Sequence, residues 1–174
     1  MPESNIPINN LPNHPSDSDE PLLSIDINVM HEAFVDDDDL MSRVIHEILR
    51  DHGISRGAIS IAIVDDPTIR RLNVQYLQHD YETDVLSFVL EQDPGIGLLE
   101  GEIIASFDTA TNVAAELNAK ATDELLLYVI HGALHLVGYG DKNEADKLEM
   151  RAAERKYMTA AGANYCEDSE EDSQ

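Results

Sequence analysis

The chain is poor in cysteine, with one residue, Cys166, among 174. A lone thiol excludes an internal disulfide and suits a reducing compartment. No basic and apolar segment opens the chain, so no secretory signal is expected. Long hydrophobic runs are also missing. The longest near-apolar stretch, Leu125 to Tyr139, is interrupted by His131 and His135 and falls short of the ~18 residues that a bilayer span needs. The expectation is a cytoplasmic protein with no membrane partner. Basic residues are scarce: 11 Lys and Arg stand against 35 Asp and Glu, for a net charge of −24. Nine of the acids lie in the first 21 and last eight positions, which leaves −15 on the remainder. Such a field repels polyanions over roughly a Debye length, about 8 Å at physiological salt. Its plainest meaning is solubility, and by itself it argues against nucleic acid.

What is present suffices for one core. Apolar residues make up 43% and charged residues 26%, close to ordinary globular usage, and the length fits one domain. Residues 1–21 are rich in Asn, Pro, Ser and Asp and read as a disordered leader; residues 166–174 read as an acidic disordered tail. A single domain is expected over 22–165.

Within it the patterning alternates between strand and helix. Leu22–Val29 alternates as a strand, and the acidic run Asp36–Asp39 opens a helix that Gly53 stops. Gly57–Val64 reads as a strand and Asp66-Pro67 starts a short helix through Tyr76. Val85–Leu90 and Gly101–Phe107 read as strands, and Thr109–Leu117 as a helix. A strongly apolar helix runs from Asp123 to Gly138, and an amphipathic one spans about 144–160. The expected fold is α+β, a layer of about four strands packed with helices.

The sharpest chemical feature is His131-Gly-Ala-Leu-His135-Leu-Val-Gly138-Tyr-Gly140-Asp141. Residues four apart on a helix lie about 40° apart around its axis, so both imidazoles can aim at one point. On a buried helix two unpartnered imidazoles are costly, and a metal ion would satisfy both. Core histidines satisfied by hydrogen bonds are the plainer alternative. Gly132 inside the helix suggests a close approach to the backbone. Gly138 and Gly140 permit angles that other residues avoid, so the chain can turn Asp141 toward the same point. Two nitrogens and one oxygen with an open fourth position form the pattern of a catalytic site, zinc first among the metals. The spacing also fits metzincin proteases, but there a general-base Glu follows the first His. Here Gly132 can move no proton.

The stretch HGALHLVGYGD resembles the signature H-G-x-L-H-L-x-G-Y-D-H of the YbeY family. Leu72-Asn73 with Thr83-Asp84-Val85-Leu86-Ser87-Phe88 is similar to the family's L-N-x-x-Y-R … T-D-V-L-S-F, and Gly101-Glu102-Ile103-Ile104 to its G-D/E-I strand. The resemblance runs from about Ile25 to Tyr157. It implies an α+β fold with a mixed sheet flanked by helices, and a metal-dependent, single-strand-specific endoribonuclease. It further implies a role in ribosomal RNA maturation and ribosome quality control, with single-stranded RNA as partner and no DNA. The family's three signature histidines are its metal ligands, and they fall on His131, His135 and Asp141.

Two positions depart from the pattern. Asp141 replaces the third histidine, which leaves a divalent site at about +1 instead of +2 and makes manganese or nickel plausible beside zinc. Leu77 replaces the arginine thought to face the phosphate. His79 is the candidate catalytic substitute, with Lys142 a second. Thr83-Asp84 reads locally as a turn and, by the resemblance, lines the cleft. Ser87 sits among packing positions and is no nucleophile. The departures keep two other functions open: a ribosome-assembly partner with weak or lost cleavage, and a hydrolase of a small phosphorylated molecule.

Overall fold

The computed structural model describes residues 22–34 and 39–165; the expected leader and tail, Cys166 and most of the acidic run before the first helix lie outside them. In chain order the elements are β1 (Leu23–Val29), α1 (Leu40–Asp51), β2 (Arg56–Val64), α2 (Asp66–Leu77), β3 (Val85–Asp93), β4 (Leu98–Ser106), α3 (Phe107–Leu117), α4 (Ala121–Leu136) and α5 (Glu144–Ala161). The strands form one sheet in the order β1-β2-β4-β3. β2 pairs in parallel with both β1 and β4, whereas β3 returns antiparallel to β4 through a hairpin. This is the expected α+β arrangement on a mixed four-stranded sheet.

Periodicity decides which face each element buries. On β2, Ile59, Ile61 and Ile63 alternate onto one face and are fully buried. On α1, Met41, Val44, Ile45, Ile48 and Leu49 form the buried stripe at spacings of three and four. Both contribute to the larger core with Leu99 and Ile103 of β4 and residues of α4 and α5. α4 lies at its centre, with Leu125, Val129, Ile130, Ala133 and Leu134 fully buried. A smaller core of Val64, Ile69, Leu86 and Ile104 forms under α2. No helix among the described residues is long and apolar enough to cross a membrane.

Gly132 is where α4 meets the sheet. A Cβ there would stand 3.0 Å from Ile103 Cγ2 and 3.1 Å from Val85 Cγ2. The close approach expected from its sequence position is therefore made by β3 and β4. Three local expectations change. β3 reaches Asp93 and β4 begins at Leu98, because the distal ends of the hairpin pair with each other (Gln92 with Leu99, Asp93 with Leu98), and the exposed β3 side carries no apolar alternation to mark it. Phe107 opens α3 instead of closing β4, since the Ser106 hydroxyl accepts from the Thr109 N–H at 3.2 Å and caps the helix. Asp39 sits at the α1 N-cap without a side-chain capping bond: its carbonyl accepts the Arg43 N–H at 2.9 Å, and its side chain offers only its charge.

Candidate metal centre

The end of α4 builds the site. His131 and His135, one turn apart, bring their Nε2 atoms to 2.9 Å and their ring centroids to 4.5 Å. Past Leu136 the chain reverses at Gly138, whose φ is +102°. The Tyr139 N–H donates to the Leu134 carbonyl and the Gly138 N–H to the His135 carbonyl, each at 3.0 Å. This double bond pattern is the Schellman cap, and it favours glycine at the reversal. The reversal lays the Tyr139 carbonyl 2.9 Å from His135 Nδ1 and brings Asp141 Oδ2 to 3.6 Å from His135 Nε2. One ligand atom each from His131, His135 and Asp141 lies within 4.8 Å of the others. Gly140 acts differently from expectation. It has no positive φ, and a Cβ there would meet the tip of the Asp146 side chain, Oδ2, at 2.9 Å, so the position is marked by a close side chain rather than by a left-handed turn.

The partners of the two rings settle their tautomers. His131 Nδ1 lies 2.6 Å from Glu154 Oε1 and His135 Nδ1 faces a backbone carbonyl. A carboxylate and a carbonyl only accept, so both Nδ1 atoms carry protons and donate. In the neutral rings both Nε2 lone pairs then point at one another across 2.9 Å. That arrangement is repulsive unless one ring is protonated or a cation lies between them. Two imidazole nitrogens and a carboxylate oxygen are the donors of a divalent site. Donors on a tetrahedral zinc stand about 3.4 Å apart given bonds of about 2.0–2.1 Å, which the observed spacings bracket. The donor set therefore fits a divalent cation. Glu154 is itself buried, and the Tyr165 hydroxyl donates to its Oε2 at 3.2 Å. A carboxylate behind a ligating histidine fixes the ring and raises its basicity. Burial pulls the His131 pKa down, but the hydrogen bond and charge of Glu154, with the charges of Asp84 and Asp141, hold it above the ordinary histidine value.

His131 and Asp141 open onto a cleft of about 290 Å³. Asp84 lines it, its Oδ1 accepting from the Val85 N–H and the Thr83 hydroxyl, so the Thr83-Asp84 turn both enters the sheet and faces the cleft. His79 is exposed and stacked on Tyr81 at 5.3 Å, and neither it nor Lys142 is among the residues that line this cleft. Leu77 ends α2 and is 45% exposed. The cations that do line the cleft are Lys147 and Arg151 of α5. Sequence reasoning missed these two and Glu154. One signal was available: Glu154 falls on the stripe Met150, Ala153, Tyr157, Met158, a charge on an otherwise apolar helix face.

A family model described as Endoribonuclease YbeY matches residues 27–162. An endoribonuclease YbeY from Rhodopirellula baltica is 43% identical over 123 residues, which cover 70% of this chain and 62% of that protein's length. One from Salinibacter ruber is 41% identical over 124 residues, covering 67% and 78%. The solution structure of a Thermotoga maritima protein aligns with a TM-score of 0.56 at 28% identity, covering 79% of this chain and 88% of that one. A match across most of the described fold, taking in the histidine helix and its cap, leaves one assignment: the chain belongs to the endoribonuclease YbeY family.

Proposed function

We propose that this protein is a metal-dependent endoribonuclease that cleaves single-stranded RNA in ribosomal RNA maturation, with His131, His135 and Asp141 holding one divalent cation. The observation that carries this reading is the pair of Nε2 atoms 2.9 Å apart beside Asp141, with both Nδ1 atoms already committed as donors. The name carried by the relatives supplies the reaction class. The donor set suits zinc, and its carboxylate widens the choice to manganese or nickel. A cation held there supplies Lewis acidity to a phosphodiester oxygen and to an attacking water. Glu154 and the Tyr139 carbonyl hold the two rings in one tautomer and orientation. The half-exposed Asp141 keeps the donors open to the cleft. The acidic body suits a short single-stranded segment better than a long duplex, and ribosomal particles in the cytoplasm present such segments.

The test is metal analysis of the purified chain, followed by cleavage of a labelled single-stranded RNA with and without chelator. About one divalent metal per chain and chelator-sensitive cleavage are expected, both lost in the His131→Ala/His135→Ala double variant. Cleavage that persists in that variant would overturn the reading. Metal binding without cleavage would leave a ribosome-assembly partner with weak or lost cleavage, the function that the two departures at Asp141 and Leu77 favour.

A further inference from the structure

Resting on the endoribonuclease reading, we propose that Lys147 and Arg151 of α5 bind the phosphodiester backbone of the substrate beside the His131–His135–Asp141 cluster.

The argument begins with the charge of the cleft. Asp84, Glu124, Asp141 and Glu154 all line it. A divalent cation neutralises only half of these four carboxylates, and each phosphodiester brings a further negative charge. A phosphate is therefore repelled unless other cations stand at the cleft. Besides His131, the basic residues that line it are Lys147 and Arg151. They come from a chain with only 11 Lys and Arg, so their shared position is informative.

Their placement on α5 ties them to the metal centre. Residues 147, 151 and 154 follow at spacings of four and three, which stacks their side chains along one strip of the helix. The third of them, Glu154, is bonded to His131 at 2.6 Å. The same contact that fixes a ligand ring thus sets the register of the two cations along the cleft. Lys147 Nζ pairs with Glu144 Oε1 at 3.1 Å on the exposed side of the helix. An exposed pair of this kind is weak enough for a phosphate to displace. Arg151 offers the planar fork that matches phosphate oxygens two at a time. Arg70 is held by Asp80 and Glu82 at 2.8 and 3.2 Å, and Lys156 by Asp51 at 2.6 Å, outside this cleft. Cations aimed where phosphoryl charge develops also lower the barrier to cleavage.

The experiment compares the full-length chain with Lys147→Gln, Arg151→Gln, their double variant and Arg151→Lys. The probe is a labelled, uncleavable 2′-O-methyl single-stranded oligonucleotide, titrated at several salt concentrations from 0.15 M upward. Each lost phosphate contact should reduce the slope of log affinity against log salt by about 0.7, so the double variant should lose about 1.4. Arg151→Lys should keep the slope. Metal content should stay at the wild-type level, while kcat/KM for RNA cleavage falls, by at most about 10²–10³-fold. If the wild-type chain binds and cleaves but the double variant keeps its salt slope, the proposal is overturned and the nuclease reading stands. A lower melting temperature with an unchanged slope assigns the residues to structure and overturns it equally. If the slope falls as expected but the wild-type chain cuts no RNA, the cation assignment holds and the nuclease reading fails. No oligonucleotide binding by the wild-type chain at any of these salts overturns both.

Discussion

Glu154→Gln isolates the charge behind His131 while keeping the shape of the side chain. The carboxylate is 9% exposed, accepts the His131 Nδ1–H at 2.6 Å and accepts the Tyr165 hydroxyl at 3.2 Å. Glutamine can still accept from Nδ1 through its carbonyl oxygen, so the ring keeps its orientation. What disappears is the charge assistance, and hydrogen bonds to charged groups contribute about 1.5–3 kcal/mol against about 1 for neutral ones. The loss of ligand basicity should weaken metal binding about 10- to 100-fold, or about 1.4–2.8 kcal/mol. Competition with a chromophoric chelator at fixed pH reads this directly. In the metal-free chain the same substitution has a second signature. Burial opposes the His131 imidazolium, but the hydrogen bond and charge of Glu154, with the charges of Asp84 and Asp141, together raise the folded pKa. A raised histidine pKa contributes stability that is complete below the ordinary value and lost as pH rises through the raised one. Glu154→Gln should flatten that dependence and lower the His131 titration followed by NMR. Metal affinity within twofold of wild type, together with a lower melting temperature, would show that Glu154 only packs, and would refute the reasoning.

Asp141→His, which restores the histidine found in the family signature, should keep or raise zinc affinity relative to manganese; loss of metal on analysis of the purified variant would remove Asp141 from the ligand set. Leu77→Arg should fold normally, because a half-exposed helix end tolerates substitution within about 0.5 kcal/mol; a chemical denaturation midpoint far below wild type would contradict that placement. Gly132→Leu should destabilise by about 1–3 kcal/mol or more through overpacking against Ile103 and Val85; unchanged urea unfolding would mean that α4 does not sit so close to the sheet.

The candidate cluster was legible in the sequence because it is local. His131 and His135 need only the 3.6-residue period, and Asp141 needs only the cap at Gly138. The helices α1 and α5 were legible for the same reason, since each carries its own apolar stripe and ends at a glycine. Glu154, Lys147 and Arg151 were not, because their place depends on how α5 packs against α4, and His131 and Glu154 are 23 positions apart. Gly140 was assigned to a turn because glycine's freedom is visible in sequence, whereas the Asp146 carboxylate that crowds it is not. The exposed half of β3 carried no pattern because its pairing comes from β4 alone. Periodicity reports burial, and these residues earn their positions by pairing.

Net charge misleads in a related way, and it leads to a last prediction. The value of −24 describes the field far from the surface, while a bound phosphate meets the charges within a few ångströms of it. Salt acts on the two in opposite senses. At 0.01 M the Debye length is about 30 Å, so most of the acidic body repels an approaching RNA. At 0.15 M it is about 8 Å, and repulsion from carboxylates beyond the cleft is largely screened. The contacts to Lys147 and Arg151 weaken steadily over the same range as counterions compete for the phosphates. Affinity for the uncleavable oligonucleotide should therefore rise from the lowest salt, pass through a maximum, and fall beyond it. In the Lys147→Gln/Arg151→Gln variant the rise should remain and the fall should become shallower. A monotonic decline from 0.01 M in the wild-type chain would mean that the acidic body does not act on the RNA, and the charge argument built from the composition would fail.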